Sequence, residues 1–434
     1  MVYLLSFILL FCFMGSFRYL HVYSYLVVPW VIVFTMLWSL PVFVFWYTHG
    51  DSQFLYAFKN FSEVALPEQG ADELIFHTFW LLLASALMFV GSMFALKVRV
   101  KSYSVEFGAS SSLLFLTPVV WGCCVVYIYL NNGLPWYYIF FPVYADSNIY
   151  LNYIFRGVYL YSPFLAVYYA FVRRSSAVLL CAFFLWGGLV AFSTGQRRDF
   201  LSFILFFSYV FSYFKYGRFS ISDFLSLFKS YMFFICALSG VVVLWILRVF
   251  FTNLIRDGEV VNPLEVRGVY EILYGSGASG APAYFTVNNW ISENGSSFFY
   301  SLYYGVSQLV PRGFWPEKFI GIDSIIQNGY SLKDSPSIFW FGDLAFSFGT
   351  YFYPFAGFFI GFLLTLLQKK LILRRTSSSV FISAFLFCNV FAFYKNGLGT
   401  YISVVLTGCA IIFVLWASIE LPCKLLRQAV RKNF

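Results

Sequence analysis

Charge is what this chain has least of. Lys and Arg number 28 and Asp and Glu 19 in 434 residues, 11% together. A soluble domain carries about a quarter. Hydrophobic residues make up 61% and aromatics 24%. That balance excludes an ordinary soluble enzyme and points to an integral membrane protein. Metal chemistry is equally thin. The three histidines, His21, His49 and His77, are scattered, and the eight cysteines form no CxxC and no Cys/His cluster. Neither a zinc site nor a disulfide framework is expected, and no metal or other cofactor is assigned. The chain has no GxxxxGK[ST], which speaks against ATP-driven work. The first apolar run, 1–17, has no basic start and no small-residue cleavage site, so it reads as a first short membrane helix.

What is abundant is apolar length. A spanning helix needs about 20 apolar residues. Eleven runs are candidate spans of an all-α polytopic membrane domain over 1–434, some of them shorter than that: 1–17, 26–48, 78–96, 111–130, 153–172, 177–193, 200–214, 230–250, 343–367, 379–394 and 401–420. Alternate connections carry the basic residues Arg18, Lys97, Arg99, Lys101, Arg173, Arg174, Lys215, Arg218, Lys229, Lys369, Lys370, Arg374 and Arg375, with Lys424, Arg427, Arg431 and Lys432 in the tail. The positive-inside bias makes that side cytoplasmic, with the C-terminus. The net charge of +9 is therefore topology and implies no nucleic-acid partner. Three segments face outward: 49–77, 131–152 and a large loop at 251–342, between the eighth and ninth spans.

Two outward stretches carry chemistry. The first is "STGQRRDFL", Ser193 to Leu201. Short helices flank it, which sets the turn below the outer surface. Asp199 is expected to cap the second helix, and Arg197 and Arg198 stand beside its free amides as an anion site. The bland alternative is that they snorkel to headgroups, or that Arg198 pairs with Asp199. The second is "LVPRGFWPEKFIGIDS", Leu309 to Ser324, expected to be rigid and non-helical. It presents Arg312, Trp315 and Lys318, either to a ligand or simply to solvent. Isolated basic residues Arg156, Arg256, Arg267 and Lys395 add to the outward set, each a headgroup anchor or a polyanion contact. Asp343 begins an apolar run and is either a helix cap or a group that activates a hydroxyl.

These stretches resemble motifs of a known family. "STGQRRDFL" is similar to the outer-face Gly-x-Arg motif of Wzy-type O-antigen polymerases, and "LVPRGFWPEKF" to their Pro-Arg-x-x-Trp-Pro-x-Lys loop segment. The length, the span count and the single late outer loop agree. The Arg-x10-Gly pattern of some members is not met: Arg267 and Asp323 stand at the positions where glycine belongs. The resemblance implies a class C glycosyltransferase-like fold in the bacterial inner membrane, working without a metal. It implies transfer of a growing glycan from undecaprenyl pyrophosphate to a lipid-linked repeat unit, with Arg197, Arg198, Arg312 and Lys318 toward the pyrophosphate. Membrane lipid and a chain-length regulator are the further partners it suggests. An O-antigen ligase would be expected to carry a histidine in 251–342, and there is none. A flippase would be expected to show internal repeats, and the sequence has none. Another polyprenyl-dependent sugar transferase would be expected to carry a carboxylate pair in its first outer segment, a place that Asp72 and Glu73 fill.

Overall fold

The structure is a computed structural model. It describes residues 2–39, 71–101, 111–132, 149–193, 197–217, 280–310, 315–330, 338–374 and 376–433. Among these there are fourteen α-helices, one π-helical segment and no strand. They are α1 (Val2–Val22), α2 (Val27–Phe34, continued by the π segment Thr35–Ser39), α3 (Ala71–Lys97), α4 (Ser111–Asn132) and α5 (Ile149–Val172). Next come α6 (Ala177–Ser193), α7 (Arg197–Tyr216), α8 (Gly280–Asn294), α9 (Tyr300–Ser307) and α10 (Ile322–Gly329). The last four are α11 (Phe339–Phe348), α12 (Tyr353–Arg374), α13 (Ser377–Cys388) and α14 (Val390–Asn433).

Three stretches are long and apolar enough to cross a membrane: Phe76–Lys97, Tyr353–Arg374 and Val390–Cys423. Shorter apolar helices accompany them, among them Gly157–Val172 and Val178–Ala191. The α12 helix has the surface expected of a helix in lipid. Phe355, Phe359, Leu363 and Leu367 recur every four residues as an exposed stripe along the whole helix. In water such a stripe would be a large exposed apolar patch; in lipid it is an ordinary surface. The opposite face is made of small residues. A Cβ on Gly357 would lie 3.0 Å from the Ala84 carbonyl oxygen, and one on Gly361 would collide with the Met88 carbonyl. Small residues at every fourth position let the α3 and α12 backbones touch, the usual currency of helix association where water cannot drive it.

That pair is parallel. The Ser92 and Thr365 hydroxyls bond at 2.7 Å, and Lys369 Nζ donates to the Leu96 carbonyl at 2.5 Å, both across a separation of 273 residues. Lys369 Nζ also donates to Val98 O at 2.7 Å, so α12 satisfies carbonyls at the end of α3. Gln368 Oε1 accepts from Val27 N–H at 2.8 Å and caps α2, which has no side-chain cap of its own. The α5 and α7 helices are also parallel, with Phe164 on Phe203 and Phe171 on Phe211. The α13 helix runs against α5: Tyr168 meets Ser377 at 2.9 Å and Tyr161 meets Phe385. These directions gather Lys97, Arg173, Arg174, Lys215, Lys369 and Arg374 at one end of the bundle.

The structure corrects four expectations. The run 343–367 is not one helix: it divides at Gly349 (φ +84°) into α11 and α12, so Asp343 sits inside a separate ten-residue helix. The run 379–394 stops at Cys388. Within Leu309–Ser324, Ile322 onward is helical, and the segment 280–307 contributes two further helices to what reads as loop. Asp199 is the third residue of α7 rather than its cap, because the helix already begins at Arg197. Runs 40–48 and 230–250 lie outside the described residues.

Candidate functional site

Helix breaks converge at the end of the bundle opposite the basic ends. The α14 helix is interrupted at Gly397 (φ +86°, ψ −179°), a backbone region open essentially to glycine. The break gives the second arm of α14 a fresh N-terminus whose amides need acceptors. Asp343 supplies one. Its Oδ2 accepts from Leu398 N–H at 2.7 Å and from Gly399 N–H at 3.3 Å. The residue is 2% exposed. Burial pushes its carboxyl up to about 7, against the downward pull of those amides. Asp343 does not cap its own helix, the role expected from its place at the start of an apolar run: it lies inside α11, and its carboxylate caps the second arm of α14 instead.

The α9 helix seats against that fresh N-terminus. A Cβ on Gly399 would stand 2.9 Å from the Ser301 carbonyl, and one on Gly305 would stand 2.8 Å from Ile402 Cβ. Ser301 N–H donates to Ser347 Oγ at 3.0 Å, and Ser301 Oγ donates to the Asp343 carbonyl at 3.3 Å. Phe299, left-handed at φ +60°, turns the chain into α9 while its N–H donates to Ser347 O at 3.1 Å. The ends of α11 and α9 are thereby fastened together.

The second motif stretch folds onto α9. Lys318 is 7% exposed, and its Nζ donates to the Val310 carbonyl at 3.0 Å. Gln308 Nε2 donates to Phe319 O at 3.0 Å, and Tyr300 Oη donates to Ile320 O at 2.9 Å. Lys318 thus secures the base of its own loop. Trp315 stays 40% exposed, its ring edge-on to Phe319.

At α7, Arg198 Nε pairs with Asp199 Oδ1 at 3.3 Å. Asp199 in the first turn also suits the positive end of the helix dipole. Arg197 opens α7 and Arg156 lies in α5, with side chains outside the described residues. Arg256, Arg267 and Arg312 lie outside them altogether. Lys395 is half-buried in the short first arm of α14, two residues before the Gly397 break.

Sequence reasoning did not single out Tyr304 and Asp323 together. Burial, followed by the nearby Asp323 charge, pushes the Tyr304 hydroxyl up to about 12. A side chain at Gly321 would strike the Asp323 carboxylate and lie 3.6 Å from the Tyr304 hydroxyl, a juxtaposition that no spacing in the sequence marks. The chain matches no protein-family profile, no curated protein and no solved structure.

Proposed function

We propose that the chain is an O-antigen polymerase. It transfers a growing glycan from undecaprenyl pyrophosphate to the non-reducing end of a second lipid-linked repeat unit. The setting is the outer face of a bacterial inner membrane, with the basic bundle end and the C-terminus in the cytoplasm. One observation supports this reading above the rest. The two stretches that carry the resemblance, at Arg197–Leu201 and Trp315–Phe319, belong to elements at the bundle end opposite the basic one.

The chemistry follows from charge. Departure of a lipid pyrophosphate builds negative charge on its oxygens. Guanidiniums and the amides at a helix start stabilise that charge where it develops. Arg197, at the first position of α7, is the residue assigned to that contact, with Arg312 as its counterpart from the outer loop. The experiment is deletion of the gene followed by electrophoresis of lipopolysaccharide. Loss of a polymerase leaves core bearing a single repeat unit. Core alone would overturn the reading in favour of a ligase or flippase.

A further inference from the structure

We propose that Tyr303, Trp315 and Asp323 form the binding site for the acceptor saccharide, with the Asp323 carboxylate taking the proton of the attacking hydroxyl. The proposal rests on the polymerase reading and names the group that the sequence left unassigned.

A pyranose has an apolar C–H face and a rim of hydroxyls. It is held by flat aromatic faces beside a hydrogen-bond acceptor. The α9 helix builds this combination. One side, Ser301 and Gly305, is spent on α14. Tyr303 points away from it and is 56% exposed. The Phe319 ring lies flat on Tyr303, centroids 5.8 Å apart and planes 18° apart, and edge-on to Trp315 at 6.3 Å and 81°. A third contact, Tyr300 at 5.3 Å, locks Phe319 in place. Two exposed rings are therefore held by a common bolt.

Four residues past Phe319 comes Asp323, half-buried in the first turn of α10. Its carboxylate folds back over Gly321, into the space a side chain there would fill, and the Tyr304 hydroxyl lies 3.6 Å from that same point. Asp343 is a poorer candidate for the proton acceptor. It is nearly inaccessible, and its Oδ2 already serves two amides. Two carboxylates share the connection with the exposed rings: Glu317 points to open solvent, whereas Asp323 is half-buried beside the Tyr304 hydroxyl, where a proton acceptor is shielded from bulk water.

A bond forms between the acceptor hydroxyl oxygen and the donor anomeric carbon. The bond from that carbon to the pyrophosphate oxygen breaks, and the pyrophosphate leaves with the electron pair. The hydroxyl proton passes to Asp323.

The test uses the full chain in nanodiscs with undecaprenyl-pyrophosphate-linked repeat units, alongside complementation of a deletion strain. Asp323→Asn is expected to slow elongation about 100-fold or more at normal membrane levels, with Asp323→Glu restoring part of the rate. Tyr303→Leu and Trp315→Leu are each expected to raise the half-saturating acceptor concentration about 3- to 10-fold with little change in kcat, while Trp315→Phe stays near wild type. Leucine keeps apolar bulk and removes the flat face. Leucine variants that behave as wild type would therefore overturn the saccharide platform in favour of simple lipid contact. Asp323→Asn at wild-type rate would overturn the base. Core alone in the deletion strain would instead sink the polymerase reading itself, so the two failures are distinct.

Discussion

Asp343 stands where a side chain at residue 397 would have to go: a Cβ built on Gly397 would meet the Asp343 Cβ and Cγ and come within 2.7 Å of Oδ2. The broken helix and its cap are thus one device, made by residues 54 positions apart.

Gly397→Ala should fail for two reasons. Alanine is strained at φ +86°, and its methyl would drive Asp343 off the amides of Leu398 and Gly399. Strain of this kind costs about 1–3 kcal/mol, and each stranded buried amide a similar amount. The expected outcome is a marked loss of monodisperse protein after detergent extraction, measured by fluorescence size exclusion. Wild-type yield and melting temperature would show that the break is not held by Asp343.

The same cap predicts a pH dependence. The Asp343 carboxyl is raised to about 7 in the folded chain from the ordinary 3.8. Folding therefore binds a proton across that interval. The stabilisation is complete below about pH 4 and is lost as pH rises toward 7. Asp343→Asn cannot titrate yet still offers an oxygen to the amides. Its melting temperature in detergent should fall less than that of wild type between pH 4 and pH 7. Parallel curves for the two proteins would contradict the burial-driven shift.

Many of the helices were legible in the sequence because long apolar runs mark them. The run 177–193 is a helix over those same residues, and 78–96 and 153–172 are extended by a few residues at their ends. What hydropathy does not report is the sign of φ. Phe339 to Arg374 reads as a largely apolar sequence, and the turn at Gly349 is set in it with only Ser347 and Thr350 beside it and no charge. The same blindness hid α8 to α10: Val287 of α8 and Ile322 and Ile326 of α10 pack with Ile338 and Phe346 in a small satellite core, with Tyr300 of α9 against it. For the site, Asp343 was visible as an isolated carboxylate. Its partner amides were not, because every residue carries one and only the break at Gly397 frees them.

The two adjacent arginines of α7 should differ in function. Arg198 is committed to Asp199, and consecutive helical residues point about 100° apart. On the polymerase reading, Arg197→Ala should cost roughly 100-fold in elongation, the scale of losing one charge-stabilising donor. Arg198→Ala should cost less, and Asp199→Asn should reproduce its effect. Immunoblots establish equal membrane levels and silver-stained lipopolysaccharide ladders give chain length. An Arg198→Ala defect deeper than that of Arg197→Ala would reverse the assignment.

The α3–α12 contact should tolerate almost no added bulk. Gly361 lies against the Met88 backbone and Gly357 against Ala84, so leucine at either position must push two helices apart. The separation would also strain the Ser92–Thr365 bond and pull Lys369 from the carbonyls of Leu96 and Val98. Gly361→Leu is expected to destabilise by about 1–3 kcal/mol or more, as overpacking does. Lys369→Met, which leaves the helices in place, should cost about 1 kcal/mol, since the freed carbonyls sit near the bundle end where water reaches them. Thermal unfolding in a single detergent ranks the two. A Gly361→Leu protein as stable as Lys369→Met would mean that the helices are held apart already, and the close backbone approach would be wrong.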